Sequence, residues 1–460
     1  MIYNRPEYWL AKTETVGPYL TFSSPNSFTL AVNDATKHWD GVLEYSADAS
    51  SWSTWDGTTT LSSAISGSDN VLYLRGTGNT VIGYYDEADT EEYTPWVING
   101  TDVRCDGNIE TLLDYATVEA GRHPVMAEEC FGGLFMGCTA LITPPELPAT
   151  TLANSCYECI FQDCTSLTQA PALPSTTLAD YCYSSMFQGC TSLTQAPALP
   201  ATALAVRCYR SMFSGCVSLT QTPELPATTL ADYCYRSMFE GCTSLTQAPA
   251  LPVTTLARSC YADMFSGCTN LTQAPALPAT TLMSNCYEYM FKGCTSLTKA
   301  PALPATTLAV SCYRNMFSGC TNLTQTPELP ATTLAADCYY EMFSGCVSLT
   351  KASALPATTL ADYCYRSMFE GCTSLTQVPI LPATTLMSNC YQFMFYGCIS
   401  LKFSSAQIGE YTVAYRIPSS GTGTTATDAL MEMFTNTSGT FARTPTINTT
   451  YYLSNTNTVV

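Results

Sequence analysis

The sequence is poor in charge, in cations and in long apolar runs. Asp, Glu, Lys and Arg make up 12% of its 460 residues, about half of the usual share in soluble proteins. With 18 cations against 37 anions, the formal net charge is −19, and such a surface repels nucleic-acid phosphates. No apolar run approaches the ~18 residues that span a membrane. We therefore expect neither a nucleic-acid partner nor a membrane span.

Histidine is scarce as well. The chain has only His38 and His123, so acid–base chemistry would depend on carboxylates. The sequence contains no Ser-His-Asp arrangement, no paired carboxylate motif and no phosphate-binding loop. We expect a protein that is not an enzyme, with no catalytic residues, no cofactor and no metal site.

What the sequence does contain is a repeat of 26 residues. Residues 225–249 return at residues 355–379 with a single difference, and close relatives fill the chain between them. One Phe recurs in eleven units, from Phe135 to Phe395, without an insertion. A fixed period of this length predicts a stack of similar units.

Each unit contains a stretch that fits an amphipathic helix. On a helical wheel, residues 230–242 separate into an apolar and a polar side. The apolar side holds Leu230, Ala231, Cys234, Tyr235, Met238, Phe239 and Cys242. Thr228 or Thr229 can cap the first turn, and Gly241 lies where a C-terminal cap is wanted. The pattern predicts a helix of about three turns.

A short strand is predicted after each helix. The spacing of Leu245, Ala248 and Ala250 matches the L-x-x-L-x-L strand of a leucine-rich repeat. Pro249 cannot donate a hydrogen bond to a strand ladder. We therefore expect strands of only about three residues, followed by irregular backbone.

The unit resembles the BspA-like (Treponema-type) leucine-rich repeat. The positions that carry the resemblance are Phe239, Gly241, Cys242, Ser244, Leu245 and Pro252, and it extends over about residues 125–405. The resemblance implies a curved solenoid, surface adhesion or ligand binding, and no catalytic activity. The expected fold is an α/β solenoid of 11 leucine-rich-type repeats, each with one helix and one short strand. A small all-β sandwich would precede it, and a β-rich C-terminal cap would close it.

Changes in composition divide the chain into five segments. We predict an N-terminal docking tail at residues 1–17, a β-sandwich domain at 18–104, a cap or linker helix at 105–129, the repeats at 130–401 and a C-terminal cap at 402–460. Short alternating runs with turn residues every 8–12 positions predict the sandwich. That domain resembles small β modules of bacteriophage structural and gut bacterial surface proteins.

The tail is short, aromatic and mixed in charge. Tyr3, Arg5, Tyr8 and Trp9 are candidates for docking on a structural protein. A tail without fixed structure is an equal alternative. The acidic stretch at residues 86–92 lacks the residue order of a calcium loop, and we interpret it as a solvated loop.

The 24 cysteines allow three interpretations. Within a unit the C-x7-C spacing would separate the two Cα atoms by ~12 Å on a helix, beyond the ~7 Å limit of a disulfide. Equivalent cysteines of adjacent units would lie ~5 Å apart, so disulfides between neighbours are conceivable. Zinc usually needs closer Cys pairs or His partners. Buried free thiols are the favoured interpretation.

A stack of near-copies presents the same side chain once in every unit, which suits an extended partner bound through many weak contacts. On the strand side the candidate ligand-binding residues are Gln195, Gln221, Gln247, Gln273, Lys299, Gln325, Lys351 and Gln377. The helix side varies far more between units. A host glycan or surface protein is the expected partner, and a homo-oligomer is possible.

Two functional hypotheses follow. In the first, the protein is a virion component, such as a phage decoration, fibre or receptor-binding protein on the virion surface. In the second, it is a BspA-like adhesin of a bacterial cell surface. The start of the sequence lacks the features of a secretory signal, and unoxidised thiols suit assembly in a cytoplasm. These observations favour the virion hypothesis. The recurring LPATT resembles a cell-wall sorting motif, but its fifth residue is Thr, and we interpret it as part of the repeat.

Overall fold

The computed structural model describes residues 17–33, 39–82 and 95–460. The first nine strands are β1 (Leu20–Ser24), β2 (Thr29–Val32), β3 (Val42–Ser46), β4 (Ser53–Trp55), β5 (Leu61–Ser62), β6 (Ala64–Ser66), β7 (Asp69–Thr77), β8 (Trp96–Asn99) and β9 (Val103–Asp106). The helix α1 (Thr111–Glu119) follows. The later strands are β10 (Leu141–Thr143), β11 (Gln377–Val378), β12 (Lys402–Ser404), β13 (Tyr411–Arg416), β14 (Ser438–Gly439), β15 (Thr450–Ser454) and β16 (Thr458–Val459).

The N-terminal strands form two sheets. One has the order β10-β9-β1-β7-β3-β4, with β6 also paired to β7, and the other has the order β5-β2-β8. Trp96 on β8 lies against Phe22 on β1 and Trp55 on β4, with ring centroids 6.5 and 5.7 Å apart. The alternating residues of these strands therefore meet in one aromatic core, and Trp39, Trp55 and Trp96 are buried in it. The helix α1 follows β9 and is interrupted at Asp114, which has extended backbone angles.

The predicted helix in every repeat is wrong, and with it the α/β solenoid. Within the described residues α1 is the only helix, and it lies before the repeats. The predicted strands are also shorter than expected. In most repeats they are reduced to single-residue parallel bridges, such as the one between Gln247 and Gln273. Between the bridges, each repeat contains a run of β-turns. We call this run the turn coil; in one repeat it covers residues 231–245.

The turn coil uses its backbone hydrogen bonds alternately. The N–H of Cys234 donates to the carbonyl of Ala231, three residues back, and closes a β-turn. The N–H of the next residue, Tyr235, donates instead to the carbonyl of Cys260 in the following repeat, at 3.1 Å. The same alternation continues to residue 242 and recurs in the other repeats. Buried backbone polar groups are thereby paired, as they must be away from water, but without a helix.

Every fourth residue of the turn coil has a left-handed backbone. Tyr233, Ser237 and Gly241 have φ angles of 59°, 55° and 69°. Each is the third residue of a β-turn that requires positive φ at this place. The pairs between them, such as Met238 and Phe239, point into the core. Two residues in every four are therefore buried.

This period explains why the helical prediction failed. A helix has about 3.6 residues per turn, and the turn coil has an apolar period of four. Over the nine residues 234–242, a helix and a turn coil would place the same side chains on the buried side. The apolar pattern correctly identifies the buried residues but does not distinguish the two backbones.

Two columns of aromatic rings run through the stack. The first begins with Phe131 and continues with one Tyr per repeat from Tyr157 to Tyr391, at centroid separations of 5.6–6.0 Å. The second contains one Phe per repeat from Phe135 to Phe395, at 5.6–5.8 Å. The rings within a column are nearly parallel and buried. Each ring therefore gains much of its packing from the same ring of its neighbours.

The second cysteine of each repeat has a defined hydrogen bond. The thiol of Cys242 donates to the carbonyl of Phe213 in the preceding repeat, with an Sγ–O distance of 3.1 Å. That carbonyl also accepts the N–H of Cys216. Equivalent thiols from residue 164 to residue 398 make the same contact at 3.0–3.1 Å. This cysteine column supports the register between repeats.

The β-sandwich covers the first repeat. The ring of Phe135 meets the ring of Trp96 edge-on at 5.8 Å. The N–H of Trp96 donates to the carbonyl of Leu134, and the carbonyl of Trp96 accepts the thiol of Cys138. The strand β10 of the first repeat also pairs in parallel with β9. The sandwich thus supplies the neighbour that the first repeat lacks, as the end of a repeat stack requires.

A degenerate turn coil at residues 428–437 follows the last full repeat. The N–H of Tyr391 donates to the carbonyl of Ala429, and the N–H of Gly397 donates to that of Thr435. Asn436 stands at the position of Gly241 and has a φ of 58°, which Asn tolerates better than most residues. The residues M-F-T-N-T-S at 433–438 resemble M-F-S-G-C-T-S of the full repeats, and they form a structural unit of the same kind.

A four-stranded sheet closes this end, in the order β13-β15-β12-β14. Phe403 on β12 stacks on Phe434 of the degenerate coil, at 3.9 Å between centroids. The N–H of Glu432, which in a full repeat would donate to the next coil, donates instead to the hydroxyl of Thr444. The strand β16 pairs with β11 of the tenth repeat. The apolar end of the stack is thereby covered.

The left-handed positions yield a stability prediction. Gly241→Ala adds a Cβ 3.8 Å from the nearest atom, so there is room for it. It places a side chain at positive φ, and we expect a loss of about 1–2 kcal/mol of unfolding free energy. Ser237→Gly, the matched control, removes a side chain from the same type of position and should not lower the melting temperature. Thermal unfolding measures both, and an unchanged melting temperature for Gly241→Ala would contradict this backbone.

Candidate binding surfaces

The eight residues that the sequence predicts as ligand-binding form one column. Parallel bridges align Gln195 with Gln221 and Lys351 with both Gln325 and Gln377. Seven of the eight are exposed, and Gln377 is half-buried. Bridged strands lie about 4.8 Å apart, so the bridged members of this column present amide or ammonium groups at about that interval, whereas Lys299 forms no such bridge. We call it the Gln/Lys column.

An open groove runs beside the Gln/Lys column. One section has a volume of about 940 Å³ and is lined by residues 299–304, by residues 325–330, by parts of the next repeats and by Val460. A second section of about 710 Å³ lies between residues 272–278 and residues 298–304. Ala, Pro and Leu dominate the lining of both sections, and none of the lining residues is aromatic. The groove is therefore apolar, with hydrogen-bonding groups along one side.

The LPATT motif begins at the C-terminal end of each groove-lining segment. Leu225 and Ala227 are buried, and Pro226 and Thr228 are exposed. The second Thr of the motif forms parallel bridges between repeats, for example between Thr281 and Thr307. The motif therefore has a structural place in the stack, with its apolar members in the core.

The turn coils carry the variable positions on their outer side. Positions equivalent to Tyr233 and Ser237 change from repeat to repeat, because the backbone bonds of a turn coil do not depend on its side chains. Arg207 stands at the first of these positions and Asp263 at the second. The sequence identifies these positions as variable. It does not show that Arg207 stacks against two tyrosines of neighbouring repeats, a contact that appears only when the repeats are aligned as columns.

One contact between a buried carboxylate and a histidine is not predicted by the sequence analysis. Glu110 is almost fully buried before α1, and both of its carboxylate oxygens accept from Nδ1 of His123, at 2.7 and 3.0 Å. His123 is about half exposed. The pair ties the segment after α1 to the start of that helix. In a sequence with two histidines, the proximity of Glu110 and His123 in the chain is the one available signal.

Some predicted sites lie outside the described residues. These are the docking residues Tyr3, Arg5, Tyr8 and Trp9 and the acidic stretch at residues 86–92. Within the described part of the chain, no group of three or more His, Cys, Asp or Glu residues is arranged to hold a metal ion. The helix in that part of the chain is too short to cross a membrane.

The interpretation of the cysteines as free thiols is confirmed. All 24 are unpaired, and all but the half-buried Cys159 are buried. Burial raises the pKa of the Cys182 and Cys216 thiols to about 12. Burial also raises the pKa of Cys159 to about 12. Because the thiolate is the reactive form, these side chains are chemically inert in the folded protein.

The burial of the thiols predicts their reactivity. In native protein treated with iodoacetamide near pH 8, we expect modification of Cys159 at most. In urea, all 24 cysteines should react. Intact-mass spectrometry counts the modified residues, and Cys159→Ser is the matched control that should leave native protein unmodified. Rapid native labelling of several cysteines, or masses showing disulfides, would contradict the buried thiol columns.

The fold defines a repeat protein whose units stack through backbone hydrogen bonds and through columns of identical side chains. The family described as BspA type leucine rich repeat region (6 copies) matches overlapping segments that together span residues 132–414, more than half of the chain. The chain therefore belongs to the BspA-type leucine-rich repeat family, as its motifs predict. Repeats of this family are typical of bacterial surface proteins and indicate a protein of the surface adhesion type. Neither a curated protein nor a solved structure matches the chain.

Proposed function

We propose that this protein is a non-enzymatic adhesin of a bacterial cell surface that holds an extended partner along its groove. The observation that carries the proposal is the Gln/Lys column, which lies in register beside an apolar groove across successive repeats. Glutamine offers both donors and acceptors, and lysine offers donors. A partner lying along the stack can meet the same groups in each repeat.

The repetition of weak contacts supports an adhesive role. A single exposed amide contributes little to affinity, because water competes for it. Several equivalent contacts on one rigid stack act together, since each contact made raises the effective concentration of the next. Such a surface suits a long glycan or an extended protein segment better than a small molecule.

The family supports the bacterial surface over the virion. BspA-type repeats are typical of bacterial surface proteins, and this is the setting we propose. The virion hypothesis remains a prediction that neither the fold nor the comparisons support. The docking tail that a virion protein would use lies outside the described residues.

The location of the protein distinguishes the bacterial-surface proposal from the virion hypothesis. An antibody against the repeats should label intact cells of the producing bacterium, because an adhesin must face the medium. The protein should also be found in the cell-envelope fraction by mass spectrometry. Purified virions from the same culture serve as the comparison. Enrichment in virions, with none in the envelope, would overturn the bacterial-surface proposal.

The groove makes a second prediction. The full-length protein is tested on a glycan array and on immobilised extracellular-matrix proteins, and the best ligand is then used for titration. Replacing Gln273, Lys299, Gln325 and Lys351 by Ala should weaken binding by about tenfold or more, because four aligned contacts are lost together.

The matched control replaces Thr280, Thr306, Thr332 and Thr358 by Ala in the same repeats. These threonines are exposed but do not line the groove, so their loss should leave affinity within a few-fold of the parent. Equal losses in the two variants, or unchanged binding by the groove variant, would exclude the groove as the binding site.

A further inference from the structure

A second surface lies on the turn coils of adjacent repeats, away from the Gln/Lys column. It combines arginines and tyrosines, which are enriched at the centres of protein interfaces. We call it the arginine–tyrosine cluster, and it consists of Tyr181, Arg207, Arg210, Tyr233, Arg236 and Arg258. The repeats between residues 130 and 401 contain nine Lys and Arg residues in all, and four of them are in this cluster.

Tyrosine rings lie against three of the four arginines. The guanidinium carbon of Arg207 lies 5.0 Å from the ring centroids of both Tyr181 and Tyr233. Its Nη1 also donates to the hydroxyl of Tyr181. Arg236 and Arg258 approach the Tyr233 ring at 6.0 and 5.7 Å. Cation–π attraction of this kind orients the guanidinium groups before any partner arrives.

Three of these arginines lack an acidic partner. Arg236 lies 3.6 Å from the carboxylate of Asp263. Among the described residues, Arg207, Arg210 and Arg258 form no ion pair. The Nε of Arg207 is buried and makes no hydrogen bond to a described residue. The cluster therefore presents oriented donors that the protein itself leaves largely unused.

Two carboxylates of the same turn coils accept hydrogen bonds from backbone N–H groups. Asp180 accepts the backbone N–H of Val206, and Asp232 accepts the backbone N–H of Arg258, both at 2.9 Å. These bonds link neighbouring turn coils and direct a carboxylate oxygen towards the backbone. Within the described residues, Asp180 and Asp232 form no ion pair with the arginines of the cluster, so these guanidinium groups stay available on a chain of net charge −19.

We propose that the arginine–tyrosine cluster binds side-chain carboxylates of an acidic segment in a partner protein. The planar fork of a guanidinium matches the two oxygens of a carboxylate in a bidentate contact. The faces of Tyr233 are occupied by arginines, so they are not free to stack on a sugar ring. This inference deepens the proposed adhesive role by naming the chemistry of one partner, and it does not depend on the groove.

A direct test uses a fluorescein-labelled oligoglutamate peptide and the full-length protein at low ionic strength. The triple variant Arg207→Gln, Arg210→Gln, Arg258→Gln should weaken binding at least about tenfold by fluorescence anisotropy. The control variant Arg104→Gln, Arg122→Gln, Lys292→Gln makes the same change in net charge at exposed residues outside both the cluster and the groove. It should stay within about threefold of the parent, because these cations contribute only through screened long-range attraction.

Further variants and probes separate the alternatives. Arg207→Lys, Arg210→Lys, Arg258→Lys keeps the charge but removes the fork, and it should bind clearly less well than the parent. The double variant Arg210→Gln, Arg258→Gln keeps Arg207 in contact with its two tyrosines, so a loss of binding in this variant does not come from a disturbed fold. Circular dichroism also checks the fold.

Three outcomes would overturn the proposal: no oligoglutamate binding by the parent, equal losses in the two triple Gln variants, or binding to heparin alone. The groove variant should bind oligoglutamate normally, so the two proposals can fail separately.

Discussion

Hydrogen bonds between the backbones of successive turn coils hold the repeats in register, and the other features of the stack depend on that register. Every second N–H in a coil donates to the next repeat, as Tyr235 does to Cys260. This alignment places each residue over its equivalent, so rings of the same type stack at 5.6–6.0 Å. A thiol such as that of Cys242 reaches a carbonyl of the preceding repeat for the same reason. Stability then comes mainly from contacts between neighbours, as in other repeat proteins.

The same bonding pattern separates constant from variable positions. Inward residues must match their equivalents above and below, which explains why Phe, Tyr and Cys recur with so little change. Half-buried residues at the left-handed positions, such as Tyr233, Arg207 and Asp263, must mainly tolerate positive φ. The molecule therefore has one uniform surface, the groove with its Gln/Lys column, and one surface that differs along the stack. A uniform surface suits a repetitive partner, and a variable surface can hold a local site such as the arginine–tyrosine cluster.

A stack of this kind must end without exposing its aromatic columns, and the two ends solve the problem differently. At the N-terminal end, Trp96 of the sandwich receives Phe135 edge-on and supplies backbone partners to the first coil. At the other end, a degenerate coil keeps the backbone pattern but replaces Gly by Asn436, and Phe403 stacks on Phe434. At both ends, the repeats are therefore covered by an ordinary hydrophobic core.

The sequence by itself determined the period and the buried residues, because a fixed spacing fixes which side chains stack, and it favoured free cysteines over disulfides. It also determined that Gln and Lys would form a column. It did not determine the backbone of the turn coil, because periods of 3.6 and four bury the same residues between positions 234 and 242. Only the tertiary structure decided between them, since the N–H of Tyr235 finds its acceptor in the next repeat and not within its own segment. The groove and the arginine–tyrosine cluster depend on that choice, because both form between repeats.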